Sequence, residues 1–152
     1  HEEFARYIND FLQLDGNIHL KIHKSDRYKT GKCVQYGMFS QNNTLFTKER
    51  KRWYPNGVKI IPEDFRFSKV AMNIFYLSDG HLLRGSSIIL STQAFAKTHI
   101  EQTIIRELNN IGIKCWVTKR NEIYISAKST KHFLAYIGDC PVECYKYKWN
   151  LK

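Results

Sequence analysis

Two stretches of this chain carry apolar residues at helical spacing and then stop at the same dipeptide. In FARYINDFLQLDGNIHL, residues 4–20, the recurring positions are Ile8, Phe11 and Leu12. In SKVAMNIFYLSDGHLL, residues 68–83, they are Val70, Ile74 and Leu77. Apolar residues three and four apart share one helical face, so each stretch predicts a helix. Gly16 and Gly80 predict the stops, because glycine is the favoured residue just past a helix end. After the first stop the period changes to two. Asn17, His19, Lys21 and His23 fall on one side, and Ile18, Leu20 and Ile22 on the other, which is the alternation of a strand with one apolar face.

The second copy continues legibly. Residues 87–92 read as a strand, and residues 98–110 as a helix burying Ile100, Ile104, Ile105, Leu108 and Ile111, stopped by Gly112. Residues 113–119 form a strand with Ile113, Cys115 and Val117 inward and Lys114, Trp116 and Thr118 outward. Arg120-Asn121 is a turn, and residues 122–128 return with Ile123 and Ile125 inward and Tyr124 and Ser126 outward. Ser129 is expected to cap a last helix through Ile137. The order is helix, two strands, helix, two strands, helix. The first copy shows a strand at 32–39 and a helix at 43–53. Asp79 lies 50 residues before Ser129, whereas Asp15 lies 28 before the matching Asn43. The first copy is therefore short by about one strand and one helix. The expected fold is α+β: two tandem, unequal repeats, residues 1–64 with the linker and 65–152 with the tail, in one compact pseudo-symmetric unit.

Charge changes the picture next. Lys+Arg number 24 against 14 Asp+Glu, a net charge of +10 in 152 residues. Such a surplus speaks to partners, nucleic acid first and an anionic surface or acidic protein next. An aromatic content of 14% excludes a disordered chain, and no apolar run approaches the roughly 20 residues of a membrane span. Cys33 and Cys115 sit in strand-like segments and read as buried small hydrophobes. Cys140 and Cys144 flank Pro141 at a spacing unsuited to a zinc knuckle. Reduced cysteines suit an intracellular or organellar compartment. The histidines show neither HNH nor HExxH spacing.

The candidate chemistry lies at the two Asp-Gly corners. A carboxylate at a helix C-terminus opposes the helix dipole, at a cost of roughly 0.3–1 kcal/mol. Asp15 and Asp79 both accept that cost at matching positions of a repeat. Brought together, they offer the hard oxygen donors that magnesium takes, and a metal so held activates water and stabilises a leaving oxygen. The strand faces that follow are polar and basic: His19, Lys21, His23, Arg84, Lys114, Thr118 and Lys119, with Arg27, Lys32 and Arg120 as further nucleic-acid contacts. A two-stranded ribbon fits the major groove. Lys48, Arg50, Lys51 and Arg52 read either as a phosphate grip or as a solvated face. The tail, with Lys146 and Lys148 between Tyr145, Tyr147 and Trp149, either clamps nucleic acid or docks on its own domain.

INDFLQLDG (residues 8–16) and MNIFYLSDG (residues 72–80) resemble the two motifs of the LAGLIDADG homing endonucleases. RWYPNGVKIIPEDF (52–65) resembles the linker of that family, ILSTQAFA (89–96) its strand-to-helix step and YKYKW (145–149) its C-terminal closure. The resemblance implies αββαββα repeats related by a pseudo-twofold axis and Mg2+-dependent cleavage of both strands of a long double-stranded DNA site. It places the metal-binding acids at Asp15 and Asp79, a polar active-site residue at Gln93 and a basic residue supporting the water network at Lys119. Two motifs in one chain imply a monomer on its target. Asp10, Leu14, Asn73 and Ile74 depart from the small residues usual where the motif helices cross. That departure keeps a second reading open: a cleavage-inactive binder of structured RNA or DNA, acting as an intron maturase or a ribonucleoprotein component. Abundant Lys, Ile, Asn, Tyr and Phe fit an AT-rich gene, mitochondrial, chloroplast or phage.

Overall fold

Helix α1 (Glu2–Phe11) starts with Glu2 and Glu3 in its first turn, where carboxylates suit the positive end of the helix. The structure, a computed structural model, describes residues 1–14, 16–27, 29–39, 43–84 and 86–151. They fall into two units, His1–Phe46 with Pro141–Cys144, and Thr47–Cys140 with Tyr145–Lys152.

In the first unit α1 ends well short of the Asp-Gly pair. Leu12 N still donates to Ile8 O, but Gln13 turns to φ 50 and Leu14 N donates back to Asn9 O. The helix buries none of its residues, and Phe11 and Leu12, expected on its apolar face, are exposed. Strands β1 (Asn17–Lys24) and β2 (Lys32–Phe39) pair antiparallel, from Asn17↔Phe39 to Lys24↔Lys32. Ile18, Leu20 and Ile22 share a face with Met38, Tyr36 and Val34, as the period-two pattern requires. Yet Leu20, Ile22 and Val34 are each more than half exposed. Cys33, expected buried, is only half-buried; it pairs with His23 on the opposite, polar face of the hairpin.

Helix α2 (Thr44–Trp53) leads into a 3-10 turn at Pro55–Gly57 and then to the second motif. Ser68 Oγ accepts from Ala71 N at 3.1 Å and so caps helix α3 (Lys69–Asp79). Strands β3 (Gly80–Leu82), β4 (Ile88–Leu90), β5 (Cys115–Val117) and β6 (Ile123–Ile125) form an antiparallel sheet in the order β3-β4-β6-β5. Ile88 pairs with Ile125, and Ile125 with Cys115; Leu90 pairs with Ile123, and Ile123 with Val117. These residues form the inward face. It packs with a nearly continuous helix, α4 (Lys97–Ile100), a π turn (Glu101–Ile105) and α5 (Arg106–Asn110), through fully buried Ile100, Ile104 and Leu108. Gly112, at φ 81, ends that helix in the left-handed conformation expected of it.

Several expectations need correction in this unit, among them Ile111, expected buried but exposed. The buried stripe of α3 is Met72, Asn73, Tyr76 and Leu77, whereas Val70 is 48% exposed. Asn73 tolerates burial because its Nδ2 donates to Ile137 O at 3.0 Å and Asp139 O at 3.2 Å. This ties α3 to the end of helix α6 (Ala127–Ile137). That helix starts at Ala127, so the strand before it ends sooner than its polarity pattern implied. Ser129 lies inside the helix, where its Oγ accepts from Lys114 N at 2.9 Å.

The tail docks on its own unit. Lys148 is only 5% exposed; its Nζ donates to Leu77 O at 2.6 Å and Tyr76 O at 3.3 Å, in the last turn of α3. Tyr76 in return donates its hydroxyl to Lys148 O at 2.7 Å, and its ring packs edge-on against Trp149 and Phe133. Gly80 belongs to the same arrangement. Its φ of −92 is open to any residue, but a Cβ there would lie 2.1 Å from Tyr76 Cδ2. Glycine is needed for close approach, not for a left-handed stop. Gly16 is similar, since a Cβ there would lie 2.8 Å from Phe39 O.

Replacing Lys148 with Met keeps the stem and removes the ammonium from the α3 carbonyls. The expected cost is about 2 kcal/mol, read as a lower midpoint in urea denaturation; an unchanged midpoint contradicts the clamp. Burial pushes the Cys115 thiol up to about 12. Cys115 should therefore be the last of the four cysteines alkylated at pH 8 in the native protein, and react with the others only in denaturant.

Candidate active site and nucleic-acid interface

Asp79 is the last residue of α3 and is exposed. Its backbone is fixed from the other side, because Ser91 N donates to Asp79 O at 2.9 Å and locks the corner to the segment after β4. One carboxylate oxygen lies 3.2 Å from Ser78 Oγ. That hydroxyl has a single proton and also reaches Ile74 O and Phe75 O. Among the described residues Asp79 forms no ion pair. It is thus an accessible, un-neutralised carboxylate. The buried Lys148 ammonium on the neighbouring carbonyls offsets the adverse helix dipole there. Asp15 lies outside the described residues.

Gln93 follows β4. Its Nε2 donates to Glu122 Oε1 at 2.7 Å. Two neighbouring bonds reinforce the contact: Thr92 Oγ1 donates to Asn121 O at 2.7 Å, and Asn121 Nδ2 donates to Phe95 O at 2.6 Å. The turn between β5 and β6 is thereby pinned to the loop that carries Gln93. Lys119 is exposed in that turn, beside Thr118, whose Oγ1 accepts from Arg120 N and Glu122 N.

Asp79, Ser91 and Gln93 line one cavity of about 450 Å³ together with Lys59 and Phe95. Lys119 is not part of its wall. Lys59 was missed in the sequence, where it is a lone lysine between Val58 and Ile60 in the linker. Its ammonium lies 4.3 Å from the centre of the Phe95 ring, a cation–π contact that holds it in this wall. The site thus combines a carboxylate, an amide and a cation, a set able to hold a hard metal ion and a phosphate oxygen.

The strand candidates separate by face. His19, Lys21 and His23 are exposed on one side of β1, opposite Gly37, Gln35 and Cys33. Phe39, 60% exposed, stands on that side too, with the His19 ring centre and Lys21 Nζ each 5.3 Å from its own. Lys32 pairs with Lys24 and falls on the other side, with Leu20 and Ile22. Arg27 is exposed in the turn between the strands. In the second unit Lys114 and Thr118 bracket Trp116 on the outer side of β5, and Arg84, Lys119 and Arg120 lie in turns at the sheet ends. Of the basic residues on α2, Arg52 is committed to Glu49 and Asp64 rather than left open for phosphate.

Comparisons with known proteins fit this arrangement. The profile of the LAGLIDADG DNA endonuclease family matches residues 1–133. An uncharacterized protein of Methanocaldococcus jannaschii is 32% identical over 90 residues, 56% of this chain and 35% of its own length. The chain thus spans about a third of that curated relative. The solved structure of the homing endonuclease I-WcaI bound to its DNA recognition sequence matches 100% of this chain and 73% of its own, with a TM-score of 0.78 at 20% identity, a likeness of fold. With its family match across both Asp-Gly motifs and the linker between them, this chain belongs to the LAGLIDADG DNA endonuclease family.

Proposed function

We propose that this chain is a site-specific DNA endonuclease that hydrolyses phosphodiesters in the presence of Mg2+. The observation that carries the reading is Asp79: an exposed carboxylate with no ion pair among the described residues, held at a doubly anchored helix end beside Gln93 and Lys59. Its oxygen chemistry fits a magnesium ion. The motifs supply one such acid each, Asp15 and Asp79. A bound metal there supplies Lewis acidity and a more acidic water. The residues of this chain do the rest. Glu122 accepts from Gln93 Nε2 and so fixes the amide, whose oxygen can accept from a water. Lys59, and Lys119 from the neighbouring turn, offset charge that develops on the phosphate. The exposed cations of the strand faces bind backbone phosphates and make affinity salt-dependent.

Double-stranded DNA is the partner the family supports, and the solved relative of the same fold is bound to its DNA recognition sequence. Two motifs in one chain make a monomer sufficient. The AT-rich amino-acid usage fits an organellar or phage gene.

A plasmid library with randomised inserts, incubated with the purified chain and Mg2+, tests the proposal. Linear product that disappears with EDTA is expected. Asp79→Asn and Asp15→Asn should each slow cleavage by about 10²-fold or more while leaving binding within a few-fold. Cutting at the wild-type rate by Asp79→Asn excludes its role. Absence of cutting together with tight binding of structured RNA supports the cleavage-inactive reading instead.

A further inference from the structure

The basic residues of the second unit surround a sheet face whose centre is not basic. His81 pairs with Ile89, Ile89 with Tyr124, and Tyr124 with Trp116. These four residues form a straight row across all four strands, on the side opposite the buried Ile88, Leu90, Ile123 and Ile125. Trp116 is 44% exposed, and its ring lies 4.7 Å from that of Tyr124 at a tilt of 34°. The hydroxyl of Tyr124 is taken up by Ser87 Oγ at 2.6 Å, so Tyr124 offers its ring rather than its oxygen. From Ile89 to Trp116 the row therefore presents carbon, where a reader of base edges by hydrogen bonds would present amides and guanidiniums. Lys114, Lys119, Arg84 and Arg120 stand at its margins.

We propose that the Ile89–Tyr124–Trp116 row is a specificity element that recognises thymine through its C5-methyl group in the major groove. The proposal deepens the DNA-endonuclease reading and rests on it. The thymine methyl is the apolar feature that a base pair displays in the major groove. An apolar strip ringed by cations is complementary to it: phosphates meet the margin, and methyls meet the centre. In a chain of net charge +10 a polyanionic occupant is favoured over an apolar protein face. The half-site under this sheet should then contain two or more T·A pairs where the protein makes no hydrogen bond to the base edge.

The test uses the full chain without Mg2+ and a random 30-base-pair duplex pool from which binders are enriched. The best duplex is resynthesised with deoxyuridine for thymidine in one half at a time, which removes the methyl and nothing else. Substitution in one half should weaken binding by about threefold to fivefold per methyl lost, giving tenfold or more for two. Trp116→Ala and Ile89→Thr, both at solvent-facing positions, should weaken the thymidine duplex and bring the thymidine-to-uridine ratio close to one. Unchanged melting temperatures exclude a folding effect. Equal affinity for both duplexes, or a ratio that persists in both variants, overturns the proposal while leaving DNA binding intact. Failure to enrich any duplex removes the underlying reading and the proposal with it. Trp116-dependent binding of single-stranded RNA in preference to duplex overturns it in favour of base stacking.

Discussion

The end of helix α3 is the point on which the second unit turns. Lys148 places a buried ammonium on the carbonyls of Tyr76 and Leu77, and Tyr76 returns a hydrogen bond to the backbone of Lys148. Gly80 then passes so close to the Tyr76 ring that no side chain fits. Together these contacts decide where the helix stops, where β3 begins and hence where the Asp79 carboxylate stands. An acid at a helix C-terminus is electrostatically adverse, and the Lys148 cation offsets much of that locally. The Asp-Gly corner is therefore a packing solution as much as a chemical one, and the tail that closes it is part of the site's support.

The two repeats meet the same requirement with unequal means. In the second, the inward sheet face is covered by the helix carrying Ile100, Ile104 and Leu108. In the first, the hairpin is longer, and its apolar face shows Leu20, Ile22 and Val34 to solvent. Helix α1 buries nothing and ends before its acidic corner, at the left-handed Gln13. The polar faces match more closely, since each sheet sets an aromatic among its outward cations: Phe39 in one, Trp116 with Tyr124 in the other.

Much of this was legible in the chain. The alternation from Ile113 to Ile125 predicted which residues face inward and which outward, because a strand with one buried face writes its burial into a period of two. The family resemblance rested in part on two Asp-Gly corners, of which the structure explains the second through Gly80 and Tyr76. Other features were not legible. The buried stripe of α3 includes Asn73, whose partners Ile137 and Asp139 are more than sixty residues away. Lys148 reads as one more tail lysine until its carbonyl acceptors are seen. Lys59 joins Asp79 and Gln93 through the path of the linker, which no local pattern encodes. Ser129 has the composition of a cap, yet tertiary contact with Lys114 uses it elsewhere.

The proposed reaction depends on a divalent cation held against DNA at the Asp79 corner. Anomalous diffraction from crystals of the chain with an enriched DNA duplex, soaked in Mn2+, addresses it directly. A peak within roughly 2.5 Å of an Asp79 carboxylate oxygen is expected. Density for DNA across the sheet face, with no peak at Asp79 and its carboxylate facing only solvent, would contradict it.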